Sequence, residues 1–143
     1  MSMVAKGTVA AAAAAVVLTG ISAGPAAATT NSTKTFNVSG SSVGHSGYSN
    51  GYIHFYNRSV GITGKVKSND SNCVQVIFSV WSHGEQTDFQ TRTACGRGPG
   101  TETGFNFTSP ANFPGGASDV QVTLAGITGT GQVVWLAAQS VTP

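Results

Sequence analysis

Residues 59–81 constrain the fold more than any other part of this chain. They read Ser-Val-Gly-Ile-Thr-Gly-Lys-Val-Lys, then a polar break Ser-Asn-Asp-Ser-Asn, then Cys-Val-Gln-Val-Ile-Phe-Ser-Val-Trp. Apolar residues recur at every second position in both runs, the period of a strand with one buried face. Folded antiparallel about Asp70, the runs set Val66 opposite Val74, Ile62 opposite Phe78 and Val60 opposite Val80. Such cross-strand pairs stabilise a sheet by ~0.2–1 kcal/mol each, and a slip of one residue would turn them all to water. The expectation is a central hairpin, with an all-β domain built outward from it.

The neighbouring segments extend the same pattern. Lys34 to Val38 offers a short first strand with Phe36 and Val38 inward, and 39–51 reads as a Gly/Ser-rich loop ending on the turn signal Asn50-Gly51. Residues 52–57 alternate Tyr52, His54 and Tyr56 on one side with Ile53 and Phe55 on the other. Further on, Phe105 and Phe107 mark one strand, and Val120, Val122 and Leu124 another. The stretch 131–138 is apolar on both faces, as a central strand would be, and 96–100 and 109–117 hold the Gly and Pro of turns. The expected fold is a small antiparallel β-sandwich of about seven or eight strands.

Residues 1–28 stand apart from this domain. Lys6 gives a thin basic start, 9–18 is a short alanine-dominated apolar run, and Gly20, Gly24 and Pro25 break any helix ahead of Ala26-Ala27-Ala28. This is the pattern of a helical signal peptide with an A-x-A-type cleavage site, and the run is about half of the ~20 residues a membrane span needs. The expected organisation is a cleaved leader over 1–28, a flexible lead-in over 29–33 and one β-sandwich domain over 34–143, secreted and not held to a membrane after cleavage. Charged residues make up 8% of the chain, against ~25% in an average soluble protein. With Lys6 removed, six basic and five acidic side chains leave a net charge of +1. Nucleic acid binding needs clustered Lys and Arg, so no nucleic acid partner is expected.

Cys73 and Cys95 are the only cysteines, and an even count in an exported chain implies one disulfide. A hairpin turning at Gly84 would place them directly across from each other, but its register sets Asp88, Gln90 and Arg92 on the face of Val74, Val76 and Phe78. Either a β-bulge shifts that register, or the strand 86–95 crosses into a second sheet and the bridge ties two sheets.

Candidate chemistry is sparse. Gly40-Ser41-Ser42-Val43-Gly44 and Gly47-Tyr48-Ser49-Asn50-Gly51 match the letters of the nucleophile-elbow motif, which works only on a strand–turn–helix in a large α/β sheet. His45, His54 and His83 stand on separate elements, and Asp70 among asparagines falls short of a calcium loop's carboxylates. The carboxylates Asp70, Glu85, Asp88, Glu102 and Asp119 are isolated from one another in sequence. No metal, cofactor or catalytic centre is expected. An aromatic surface is the better candidate: Tyr52, His54 and Tyr56 form an outward stripe, and the hairpin register turns Trp81 outward too. Rings flanked by Asn, Gln and Thr suit a sugar platform, with apolar ring faces against C–H groups and amides for hydroxyls. The expected partner is extracellular polysaccharide or cell-envelope material.

The alanine-rich leader ending in Ala-Ala-Ala, the low charge and a one-disulfide β-domain with Val-x-Gly-x-Val-like strands resemble the small exported proteins of actinobacteria. That resemblance implies secretion and carries no site residues with it. Exported inhibitors and chromoprotein-like sandwiches resemble the chain in size but generally hold two disulfides. Two other functions stay open: an enzyme inhibitor presenting a rigid loop at 96–100 or 82–86, and a surface or spore-coat component that self-associates through uncharged sheet faces.

Overall fold

The computed structural model describes residues 30–143, so the expected leader over 1–28 lies outside the described residues. Eight strands follow in order: β1 (Thr30–Ser42), β2 (His45–Tyr56), β3 (Ser59–Ser68), β4 (Cys73–Ser82), β5 (Glu85–Cys95), β6 (Thr103–Pro110), β7 (Asp119–Ile127) and β8 (Val133–Val141). They form two four-stranded sheets, β1-β2-β3-β6 and β5-β4-β7-β8, in which every pairing is antiparallel. No helix occurs among the described residues. The all-β sandwich expected from the alternation is the fold.

The central hairpin is not formed. β3 pairs with β2 and β6, β4 pairs with β5 and β7, and the two lie in different sheets. Val60, Ile62, Val66, Val74, Phe78 and Val80 are nevertheless all fully buried, in one core cluster shared by the two sheets. Alternation specifies which side of a strand leaves water, and pairing or facing satisfies it equally. The polar break at 69–72 carries the chain from one sheet to the other and is pinned there. The amide of Asn69 donates to Ser46 O at 2.8 Å, the Asn72 amide donates to Asp70 Oδ1 at 2.8 Å, and Asn72 Nδ2 donates to Gly44 O at 2.7 Å.

Loop 39–51 is also reassigned. β1 begins at Thr30 and runs through to Ser42, taking in most of the expected lead-in, and β2 starts at His45 after a two-residue turn. Asn50-Gly51 is therefore mid-strand, and its glycine serves packing instead of a turn. Across the first sheet the register aligns Phe36, Gly51, Gly64 and Phe105. A methyl group at Gly51 would stand 2.0 Å from Thr63 O, and one at Gly64 2.3 Å from Asn50 O. The empty space over the two glycines lets the rings of Phe36 and Phe105 stack with centroids 6.5 Å apart. Phe78 comes down from the opposite sheet edge-on to both, at 5.5 and 5.3 Å.

Cys73 and Cys95 are bonded and directly opposed on adjacent strands, which settles the disulfide as an intra-sheet link within the β4–β5 hairpin. The bulge sits at the turn end, between Val80 and Trp81, and leaves Val76 opposite Arg92, Phe78 opposite Gln90 and Val80 opposite Asp88. The polar inner face of β5 is tolerated because β5 is an edge strand: its inward side chains reach the open flank of the sandwich and stay half-buried. There the Arg92 guanidinium covers the Phe107 ring at 4.4 Å, and Gln90 Nε2 donates to Asp88 Oδ2 at 3.2 Å.

β8 is likewise an edge and not the central strand its apolar character suggested. An irregularity opposite Leu124 and Ala125 skips Leu136. Leu136 and Ala137 then both pack against the core, while Trp135 stands outward.

Candidate functional site

The outer face of the β1-β2-β3-β6 sheet presents the aromatic stripe. Because Ile53 and Phe55 enter the core, Tyr52, His54 and Tyr56 must point the other way. Tyr52 is 53% exposed, and its ring lies nearly parallel to that of His54, centroids 6.4 Å apart at 21°. His54 is held by a hydrogen bond between its Nδ1 and Thr33 Oγ1, 3.0 Å long. Tyr56 lies across Gly61, where a methyl group would stand 3.1 Å from its Cε2. The glycine gives the ring a place to lie.

Polar side chains border these rings on both sides. The register sets Thr35 and Thr63 beside Tyr52, and Asn37 and Lys65 beside Asn50. Thr63 Oγ1 donates to Asn106 Oδ1 at 3.1 Å, and Lys65 Nζ meets Glu102 Oε2 at 3.1 Å. The hydrogen bond to Glu102, and then its charge, hold the Lys65 ammonium above the ordinary lysine range. The face combines flat apolar rings with hydroxyl, amide and ammonium donors in one plane.

Trp81 does not join them. Since β4 lies in the second sheet, Trp81 is half-buried on that sheet's outer face, opposite Asp119, with the whole sandwich between it and Tyr52. Placing it with the tyrosines followed from the hairpin register that the fold rejects.

The other candidates fall on separate parts of the molecule. Ser49 is fully buried and donates to Lys65 O at 2.9 Å, while Ser42 ends β1 at a hairpin turn, so neither glycine–serine match sits on a strand–turn–helix. His45 and His54 share β2 instead of standing on separate elements, His45 buried at its start and His54 nine residues on in the outward stripe, while His83 lies in the β4–β5 turn with its ring 5.4 Å from Phe113. Among the described residues, no three His, Cys, Asp or Glu side chains gather as a metal group.

Loop 96–100 is exposed but braced. Thr101 Oγ1 donates to Gly96 O at 2.9 Å and to Gly98 O at 3.1 Å, Lys67 Nζ donates to Gly98 O at 2.7 Å, and Lys67 also bonds the Thr101 hydroxyl. Residues 82–86 make only a two-residue hairpin turn at His83-Gly84.

Sequence reasoning missed the most exposed aromatic residue, Trp135, 66% exposed, and also Phe89, 54% exposed. Both are on edge strands of the second sheet.

The protein is an antiparallel two-sheet sandwich with one intra-sheet disulfide and a ring-and-amide outer face. Comparison with protein-family models, with curated proteins and with solved structures finds no match.

Proposed function

We propose that this chain is exported and works, after loss of residues 1–28, as a non-catalytic module that holds to extracellular polysaccharide or cell-envelope material through Tyr52, His54 and Tyr56. The observation that carries this is the near-parallel pair of rings at 6.4 Å on an exposed, hydroxyl- and amide-bordered sheet face. A sugar's C–H face packs on such rings while its hydroxyls meet Asn50, Thr63 and Asn106. Export is supported by the leader pattern and by the disulfide, which persists in oxidising compartments. No helix among the described residues is long and apolar enough to cross a membrane.

Retention on insoluble cell-wall and plant polysaccharides tests the proposal. The wild type is retained, Tyr52→Ala weakens retention about tenfold, equivalent to roughly 1.4 kcal/mol, and Trp81→Ala leaves it unchanged. A wild type that passes every such material unretained overturns it. The braced loop 96–100 supports a second function, inhibition of an extracellular hydrolase, and stoichiometric inhibition without retention would favour that function instead.

A further inference from the structure

The proposed polysaccharide binding leaves the outer face of the β5-β4-β7-β8 sheet unused. Its central row runs Thr91, Ile77, Thr123 and Ala138 across the four strands. Five large apolar side chains are exposed among the described residues, and three of them, Phe89, Val133 and Trp135, stand on this face. Ile77 and Ala125 also point out of the sandwich and are nonetheless buried, outside the inner core. The one charge on the face is Asp119 at a corner, bonded by the Ser140 hydroxyl.

We infer that this face pairs with the same face of a second copy of the chain in a weak two-fold dimer. Charge selects that occupant. The opposite outer face carries the Lys65–Glu102 pair and Lys67, and two copies meeting there would have to take those charges out of water. The uncharged face costs two copies no such desolvation and offers a charged partner nothing to read. Loss of charge with enrichment in aromatic residues is the mark of an interface centre. Four strands ~4.8 Å apart and about nine residues long at ~3.3 Å each give roughly 550 Å² per copy. The pair therefore buries about 1,100 Å², just above the ~1,000 Å² a specific interface needs and in the range of transient ones. In a two-fold dimer each residue meets the same patch it belongs to, so a charge placed near the middle of the face opposes its own copy.

Sedimentation of the purified protein over a concentration series tests this. The mean mass of the wild type rises toward twice the monomer by about 1 mM, the concentration of a weak complex. Thr123→Lys, at the centre of the face, weakens association at least about tenfold through like-charge opposition. Trp135→Ala, on a side chain already exposed, weakens it without threatening the fold, and Tyr52→Ala leaves it unchanged. A mass that stays monomeric at every concentration, association insensitive to both Thr123→Lys and Trp135→Ala, or association lost with Tyr52→Ala would each overturn the inference. Retention on polysaccharide is read separately on the other sheet, so either proposal can fail alone.

Discussion

Val43 shows what one residue costs in a turn this tight. The β1–β2 and β4–β5 hairpins both close on two residues with positive φ, Val43 at 42° with Gly44 at 75°, and His83 at 51° with Gly84 at 82°. This is the type I′ geometry that matches strand twist and favours Asn-Gly. A β-branched residue there crowds its own backbone, and Val43 is almost fully exposed, so no burial offsets the strain. Val43→Asn is expected to raise the unfolding free energy by about 1 kcal/mol and the midpoint of a thermal melt by ~4 °C. An unchanged midpoint would show that the turn carries no strain at this residue. Gly51 and Gly64 act through space rather than through φ, since the Phe36 and Phe105 rings meet over them. A glycine beside an asparagine looks like a turn in sequence because nothing local distinguishes a bend from a gap left for a distant ring.

The edge strands explain where alternation misled. β5 points Asp88, Gln90 and Arg92 inward, which would be prohibitive in a central strand but is tolerable on the flank, where the Arg92 head covers Phe107 and stays near water. Inward charge on an edge also discourages pairing with another chain's edge. The disulfide closes the same hairpin over a separation of 22 residues. Replacing both cysteines, Cys73→Ala with Cys95→Ala, is expected to cost roughly 3 kcal/mol in the chain-entropy account, read as a lower denaturant midpoint. Since the bridge is in the second sheet, the proposed retention on polysaccharide is expected to survive its loss in the folded variant. The pairing of the two cysteines was legible from their symmetric placement about Gly84. The polar face of β5 obscured it, because edge or centre is a property of the assembled sheet and not of the strand.

Across the whole molecule the two sheets are joined by one aromatic cluster, with Phe78 against Phe36, Phe105 and Phe107 at 5.3–5.6 Å. Phe78→Ala would open a cavity at the point where the sheets meet, at an expected cost of about 3–5 kcal/mol. A fall in urea midpoint with an unchanged slope checks it. The residues at this junction were readable in advance: Phe36, Ile53, Phe55, Ile62, Val66 and Val120 are flanked by polar, glycine or tyrosine residues, Phe78 keeps the two-residue period of Val74, Val76 and Val80, and all are buried. Alternation is a property of each strand alone, so the sequence by itself determined the β class and, outside the edge strands β5 and β8, which side chains enter the core. It could not decide whether β3 and β4 lie side by side or face each other, because both arrangements bury the same residues and the choice depends on how all eight strands share their hydrogen bonds. Only the tertiary structure decided that, and with it that Tyr52, His54 and Tyr56 share one outer face while Trp81 lies on the other.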